Sequence, residues 1–290
     1  MNVDRLPPPV YKTARWAFRT SGKLTAGARL APSFLIAGAQ RCGTTSLHKD
    51  LAQHPCVLEP IRRKGVHYFD VSYGRGLAWY RGHFPTKRTA RRVAEAEGVD
   101  RVITGEASPY YMFHPLAPER IARDLPGVKI IVMLRDPVER AYSAHAHEYA
   151  RGFETEPFER ALELEPERLA GEAERLAAQP LAHSHAYRHQ AYLARGRYID
   201  QIERMAALFG RDRIHVVDSE AFFIDPEPVF TGVCAFLGLA PMIERITFDK
   251  HNARPRTPMP EALRDRLEAY FAPYDERLAA WLGRTPSWRA

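Results

Sequence analysis

The sequence predicts an α/β fold, a P-loop-containing three-layer sandwich in which a central parallel sheet is flanked by helices. Three observations lead there. Short apolar runs recur along the chain, mostly continuous rather than alternating, as in strands buried on both faces. Stretches of helical spacing separate them, so the order reads as βαβ units. The first run, "FLIAGAQRCGTTSL" at residues 34–47, passes from strand into a glycine-flanked turn and a hydroxyl-rich helix start.

Taken in order, residues 1–30 are basic, broken by "PPP" and without an apolar signal-peptide core, and are read as an N-terminal arm. Residues 31–290 are read as one domain. Strands are expected at 34–37, 102–104, 129–134 and 214–217. Residues 154–182, rich in Ala, Glu, Arg and Leu, predict a mostly exposed helical segment, either an insertion or a lid. From 261 to 282, apolar residues at helical spacing (Leu263, Leu267, Tyr270, Phe271, Leu278, Trp281, Leu282) predict a packing face. The closing "GRTPSWRA" reads as a tail folded back on the domain.

A chain of 290 residues with 45% hydrophobic residues can bury a core unaided. Its net charge of +7 fits either an anionic ligand or a basic solvated surface, and charge alone does not separate the two. Cys42, Cys56 and Cys234 make an odd count without a CxxC pair, which argues against a disulfide framework and a zinc site. This usage suits a reducing compartment, and the expected location is cytoplasmic. No apolar run nears the roughly 20 residues that span a bilayer. No metal is expected: HExxH is absent, and His145 and His147 fall on different faces of a helix. Nucleic-acid binding is not expected either, because the basic residues are dispersed and lack a stacking-aromatic motif.

Gly38 and Gly43 allow a tight turn after the first strand, and Thr44, Thr45 and Ser46 open a helix. A helix start so placed binds anions through its free N–H groups and its dipole. Arg41 adds a guanidinium fork that matches phosphate or sulfate oxygens. Thr44 stands where a nucleotide-binding P-loop carries its lysine, which argues against γ-phosphoryl transfer. A second motif, "KIIVMLRDPVERAYSAHAHEYARG", runs a buried strand into Arg135 and then into a capped helix. Asp136, Pro137 and Glu139 form its N-terminus. Ser143 lies two turns on and returns to the same face as the cap, so Arg135 and Ser143 can meet one anion.

The pairing of "AGAQRCGTTSL" with "MLRDPVERAYS" resembles the sulfotransferases that use 3′-phosphoadenosine 5′-phosphosulfate (PAPS), especially heparan-sulfate-type and related bacterial carbohydrate enzymes. The resemblance extends through "KGVHYFD", "GLAWYRGHFP", "GEASPYY", "FLGL" and "LGRTPSW". It implies that Arg41, Cys42, Gly43, Thr44, Thr45 and Ser46 hold the 5′-phosphosulfate end of PAPS, and that Arg135 and Ser143 hold its 3′-phosphate. It also implies contacts from a late loop through Lys250, Asn252 and Arg254, with 3′-phosphoadenosine 5′-phosphate as the product.

Members of that family usually read Lys-Glu-x-His after the first helix, the glutamate being the expected general base. This chain reads Lys64-Gly65-Val66-His67, so Gly65 stands at the position of the base. His67, Asp70 and Glu106 are the local candidates to take the acceptor proton, and Arg41 the candidate to meet charge on the leaving group. Three accounts stay open: His67 is the base, the acceptor needs little help, or this form is catalytically impaired. The competing functions are a non-catalytic binder of anionic glycans and a P-loop kinase. "RRK" at 62–64 favours an anionic or polar acceptor such as an oligosaccharide. Tyr68, Phe69, Trp79, Tyr110 and Tyr111 are candidates for an aromatic cleft that takes a small natural product.

Overall fold

The computed structural model describes residues 22–61, 63–248 and 258–290. Its centre is a sheet of β1 (Phe34–Gly38), β2 (Val57–Leu58), β3 (Ile103–Ala107), β4 (Lys129–Leu134) and β5 (Ile214–Asp218). All pairings are parallel and the order is β2-β3-β1-β4-β5. Every residue of β1 and β3 is buried, which explains why the apolar runs do not alternate. The four expected strands are present, and β3 continues to Ala107. The two-residue β2 carries no periodic signal and escaped sequence reading.

Helix α1 (Thr44–Gln53) connects β1 to β2; α2 (Leu77–Arg81) and α3 (Lys87–Glu97) precede β3, and α4 (Ala117–Asp124) precedes β4. Between β4 and β5 lie α5 (Pro137–Tyr149), α6 (Phe158–Leu169), α7 (Glu172–Ala178), α8 (His185–His189) and α9 (Tyr198–Phe209). After β5 come α10 (Ser219–Ile224), α11 (Pro226–Leu237) and α12 (Glu261–Leu282). From β1 the chain steps outward one way to β2, then returns past β1 to β4 and β5. Right-handed crossovers therefore carry α1 to one face and α4 and α9 to the other. Accordingly α1 packs on β1 to β3, while α4 and α9 pack on each other. The reversal of strand order beside β1 makes the carboxyl ends of β1 and β4 the switch point, where open α/β sheets place their ligands.

The 154–182 segment is helical, but α6 is more than a cover. Phe158, Ala161 and Leu162 join Val138 and Ala141 of α5 and Leu263, Leu267 and Phe271 of α12 in a second apolar cluster. Buried Glu165 accepts the backbone N–H groups of Tyr192, Leu193 and Ala194 at 2.8, 2.7 and 2.8 Å, fixing the chain ahead of α9. The tail folds back as expected. Ser287 bonds Asp218 at the end of β5 through its N–H and hydroxyl, and Trp288 Nε1 donates to Asp275 of α12 at 3.1 Å. The end of the arm is docked as well, with Arg29 Nη1 donating to the Phe84 carbonyl at 2.6 Å.

The aromatic cleft is not formed. Tyr68, Phe69, Trp79, Tyr110 and Tyr111 are all buried, and the first three pack against Tyr80 or one another inside the core. Among the described residues no helix is long and apolar enough to cross a membrane.

Candidate active site

The loop leaving β1 is tied to its neighbour strand by Ala39, whose N–H donates to the Met133 carbonyl at 2.8 Å. Gly43 caps α1 in the left-handed region at φ 86°, and a Cβ there would lie 2.9 Å from the Phe223 ring. Both conformation and space require glycine. Helix geometry leaves the first N–H groups of α1 without intrahelical acceptors, facing the loop.

Arg41 (φ 72°) and His67 (φ 54°) are two of the three non-glycine residues with positive φ among those described. Such conformations are costly and gather where side chains must be aimed. Arg41 Nε donates to Ser143 Oγ at 3.1 Å, so the two sequence motifs meet directly. Arg135, by contrast, faces carboxylates: its Nε is 3.5 Å from Glu220 and its Nη2 is 3.9 Å from Glu139. Asp136 caps α5 as expected, accepting the Val138 N–H at 2.8 Å, with Pro137 in the first turn. The Cys42 thiol is fully buried, and burial pushes it up to about 11, so the cysteine is an inert anchor. Its carbonyl accepts the Ser219 hydroxyl at 2.9 Å. Lys250, Asn252 and Arg254 lie outside the described residues.

The stretch 64–67 is zipped onto the end of β3. The Lys64 carbonyl accepts the Ala107 N–H at 2.8 Å, and the Val66 N–H reaches Glu106 Oε2 at 2.5 Å. The His67 N–H donates to Ser108 Oγ at 3.1 Å. Gly65 lies so close that a Cβ would sit 2.5 Å from the Ala107 carbonyl oxygen. Glu106 has no exposed surface and also accepts the hydroxyls of Ser108 (2.7 Å) and Tyr111 (2.8 Å). Burial raises its pKa despite these donors. Its geometry is that of a clamp beneath the loop.

His67 keeps 36% of its side chain exposed, and its Nδ1 is 2.7 Å from Oδ2 of buried Asp70. The carboxylate fixes the tautomer with the proton on Nδ1 and leaves Nε2 as an acceptor. Burial alone would lower the His67 pKa; the Asp70 charge and hydrogen bond outweigh it and hold the imidazole above its ordinary value. A functional contact that sequence reasoning missed is Lys64. Read there as part of a basic run and as the first residue of the Lys64-Gly65-Val66-His67 segment, with no role assigned, it sets its Nζ 2.5 Å from Thr45 Oγ1 and 3.5 Å from Thr44 Oγ1. Linear spacing carries no trace of this, because 19 residues separate the partners.

Two further residues hold the loop. Gln40 donates to Glu148 of α5 at 2.9 Å and accepts from Arg195, and His189 Nδ1 lies 2.9 Å from the same glutamate. A cavity of about 470 Å³ lies apart from this centre, walled by Phe113, Leu169, Tyr187, Arg204 and Tyr270. None of the candidate catalytic or cofactor-binding residues lines it.

A helix start at the switch point, with a histidine–carboxylate pair on the segment zipped onto β3, is an arrangement suited to group transfer. Residues 31–266 match the family described as "Sulfotransferase domain", and the chain belongs to that family. It is 31% identical over 295 residues to heparan sulfate glucosamine 3-O-sulfotransferase 6 of Homo sapiens, covering 90% of this chain and 75% of that one. It is 29% identical over 290 residues to the human bifunctional heparan sulfate N-deacetylase/N-sulfotransferase 3, covering 89% of this chain and 31% of that one. Among solved structures, a sulfotransferase from Alicyclobacillus acidocaldarius superimposes with a TM-score of 0.62 at 33% identity, over 90% of this chain and 99% of that one.

Proposed function

We propose that the protein transfers a sulfuryl group from PAPS to a hydroxyl or amine of a carbohydrate-type acceptor, with His67 as the base. The observation that carries this reading is the docking of Lys64 on the N-terminal turn of α1, beside the Arg41 loop, from the same segment that carries the His67–Asp70 pair. Helix N–H groups, two threonine hydroxyls and two cations suit a phosphosulfate and need no bridging Mg²⁺. When bound, PAPS supplies a sulfuryl group activated by its 5′-phosphate leaving group.

This chain's residues would do the rest. Arg41 and the α1 donors face the 5′ end, where charge appears on the departing oxygen. Ser143, drawn in by Arg41, serves the nucleotide side, and Arg135 joins it by exchanging Glu220 and Glu139 for the 3′-phosphate. His67 Nε2 takes the acceptor proton while Asp70 steadies the imidazolium. The acceptor class is supported by relatives named for heparan sulfate glucosamine 3-O-sulfation and for N-sulfation.

The test is sulfation from radiolabelled PAPS with heparan-type oligosaccharides, a free aminosugar and a phenol. Labelled oligosaccharide or aminosugar is expected. Failure to label any acceptor, while 3′-phosphoadenosine 5′-phosphate still raises Tm, would replace this reading with a non-catalytic binder, the alternative that Gly65 keeps open. Stabilisation by Mg-ATP instead would point to the kinase.

A further inference from the structure

The loop after β1 is one cation short of a nucleotide-binding P-loop, because Thr44 occupies the lysine position. The fold returns that cation from elsewhere in the chain. Lys64 reaches across from the segment zipped onto β3 and sets its ammonium against the hydroxyls of Thr45 and Thr44, at 2.5 and 3.5 Å. These threonines form the first turn of α1, at the positive end of the helix dipole.

We propose that Lys64 is the donor-site cation of this enzyme, binding the 5′ end of the nucleotide and meeting the charge on the leaving oxygen, and that Gly65 is what lets it reach. The proposal rests on the PAPS reading above and assigns Lys64 to the donor rather than to the acceptor. The second half follows from packing. Hydrogen bonds on both sides of Gly65, from Ala107 to the Lys64 carbonyl and from Val66 to Glu106, hold the backbone flat on β3. The approach at Gly65 leaves no room for a Cβ. Any larger residue would lift the backbone and draw Lys64 away from α1. The glycine at 65 thus lets the backbone lie close enough to β3 for Lys64 to dock on the phosphate loop.

The chemistry balances without a further reagent. The acceptor oxygen or nitrogen forms a bond to sulfur as the bond from sulfur to the bridging oxygen breaks. The electron pair goes to that oxygen, and the acceptor proton goes to His67 Nε2. Lys64 keeps its proton and donates a charge-assisted hydrogen bond to the oxygen gaining charge. Burial, aided by the Lys49 charge, lowers the Lys64 pKa to about 8. Nucleotide affinity should therefore fall as pH rises through that value.

The experiment is calorimetric binding of 3′-phosphoadenosine 5′-phosphate and of adenosine 3′-monophosphate, which lacks the 5′ group, to wild type, Lys64→Met and Lys64→Arg. Lys64→Met should weaken the bisphosphate about 10- to 100-fold, the worth of a charged hydrogen bond, and leave the monophosphate within about twofold. Lys64→Arg should retain most of the affinity and abolish its decline above pH 8. Equal losses for both nucleotides, or no loss with only a raised acceptor KM, would overturn the proposal. If wild type binds neither nucleotide, the PAPS reading itself fails. A melting temperature within a few degrees of wild type identifies folded variants; if Lys64→Met melts lower, Lys64→Gln carries the same comparison.

Discussion

His67 Nδ1 stands 2.7 Å from Asp70 Oδ2, on a backbone bent into the left-handed region at φ 54°. The bend and the bond together aim the imidazole, and Asp70 is itself fixed by the Val71 N–H at 2.6 Å. His67→Gln is expected to lower kcat by about 10²- to 10⁴-fold with nucleotide affinity unchanged. Asp70→Asn should cost less and act through His67, so it should have little further effect in the His67→Gln background. Turnover of His67→Gln within threefold of wild type, in a steady-state assay, would remove His67 as the base.

The pH profile follows from two shifted groups. His67 must be neutral to accept a proton, and its pKa is raised above the ordinary 6.5 by Asp70, which outweighs burial. Lys64 must be charged, and burial lowers it to about 8. Hence kcat/KM should rise as His67 deprotonates and fall as Lys64 does, giving a narrow bell. The acid limb should vanish in His67→Gln and the alkaline limb should move out of range in Lys64→Arg. A profile unaltered by both substitutions would contradict both assignments.

Gly65→Glu should not restore a missing base. The new Cβ meets backbone at 2.5 Å, and overpacking of this kind costs about 1–3 kcal/mol. We expect a lower Tm and a turnover reduced at least about tenfold. If turnover instead climbs more than threefold, the site lacked a carboxylate after all.

Arg41 and Ser143 share a hydrogen bond at 3.1 Å. Arg41→Ala should weaken 3′-phosphoadenosine 5′-phosphate by about 10-fold or more, and Ser143→Ala by less. The double variant should lose less than the sum of the two, because each single change already breaks the shared contact. Strict additivity in calorimetry would mean that the two groups serve the ligand separately.

Away from the site, Glu165 takes three backbone N–H groups at the entry to α9. Glu165→Ala strands one buried and two part-buried donors and should destabilise by about 1–3 kcal/mol. Chemical denaturation reads this as a lower midpoint with an unchanged slope. A midpoint equal to wild type would show that water satisfies the donors.

The sheet was legible because its strands are buried on both faces and leave unbroken apolar runs; β2 was not, since Val57–Leu58 is too short to carry a period. The anion loop was legible because Gly43, the hydroxyls and Arg41 are local in sequence. Long-range placements were hidden. Nothing in the spacing says that Lys64 docks on Thr45, that Glu106 is sealed under 64–67, or that the five aromatics face inward. The glutamate-for-glycine comparison drew attention to Gly65 but not to the crowding that surrounds it.

That crowding constrains the chain's future. With the backbone of 64–67 laid against β3, a glutamate at Gly65 clashes unless Ala107 and Ser108 yield at the same time. A larger residue at 65 is therefore accommodated only together with shifts at Ala107 and Ser108. Selection for better turnover should find its gains around Lys64 and His67, and leave Gly65 where it is.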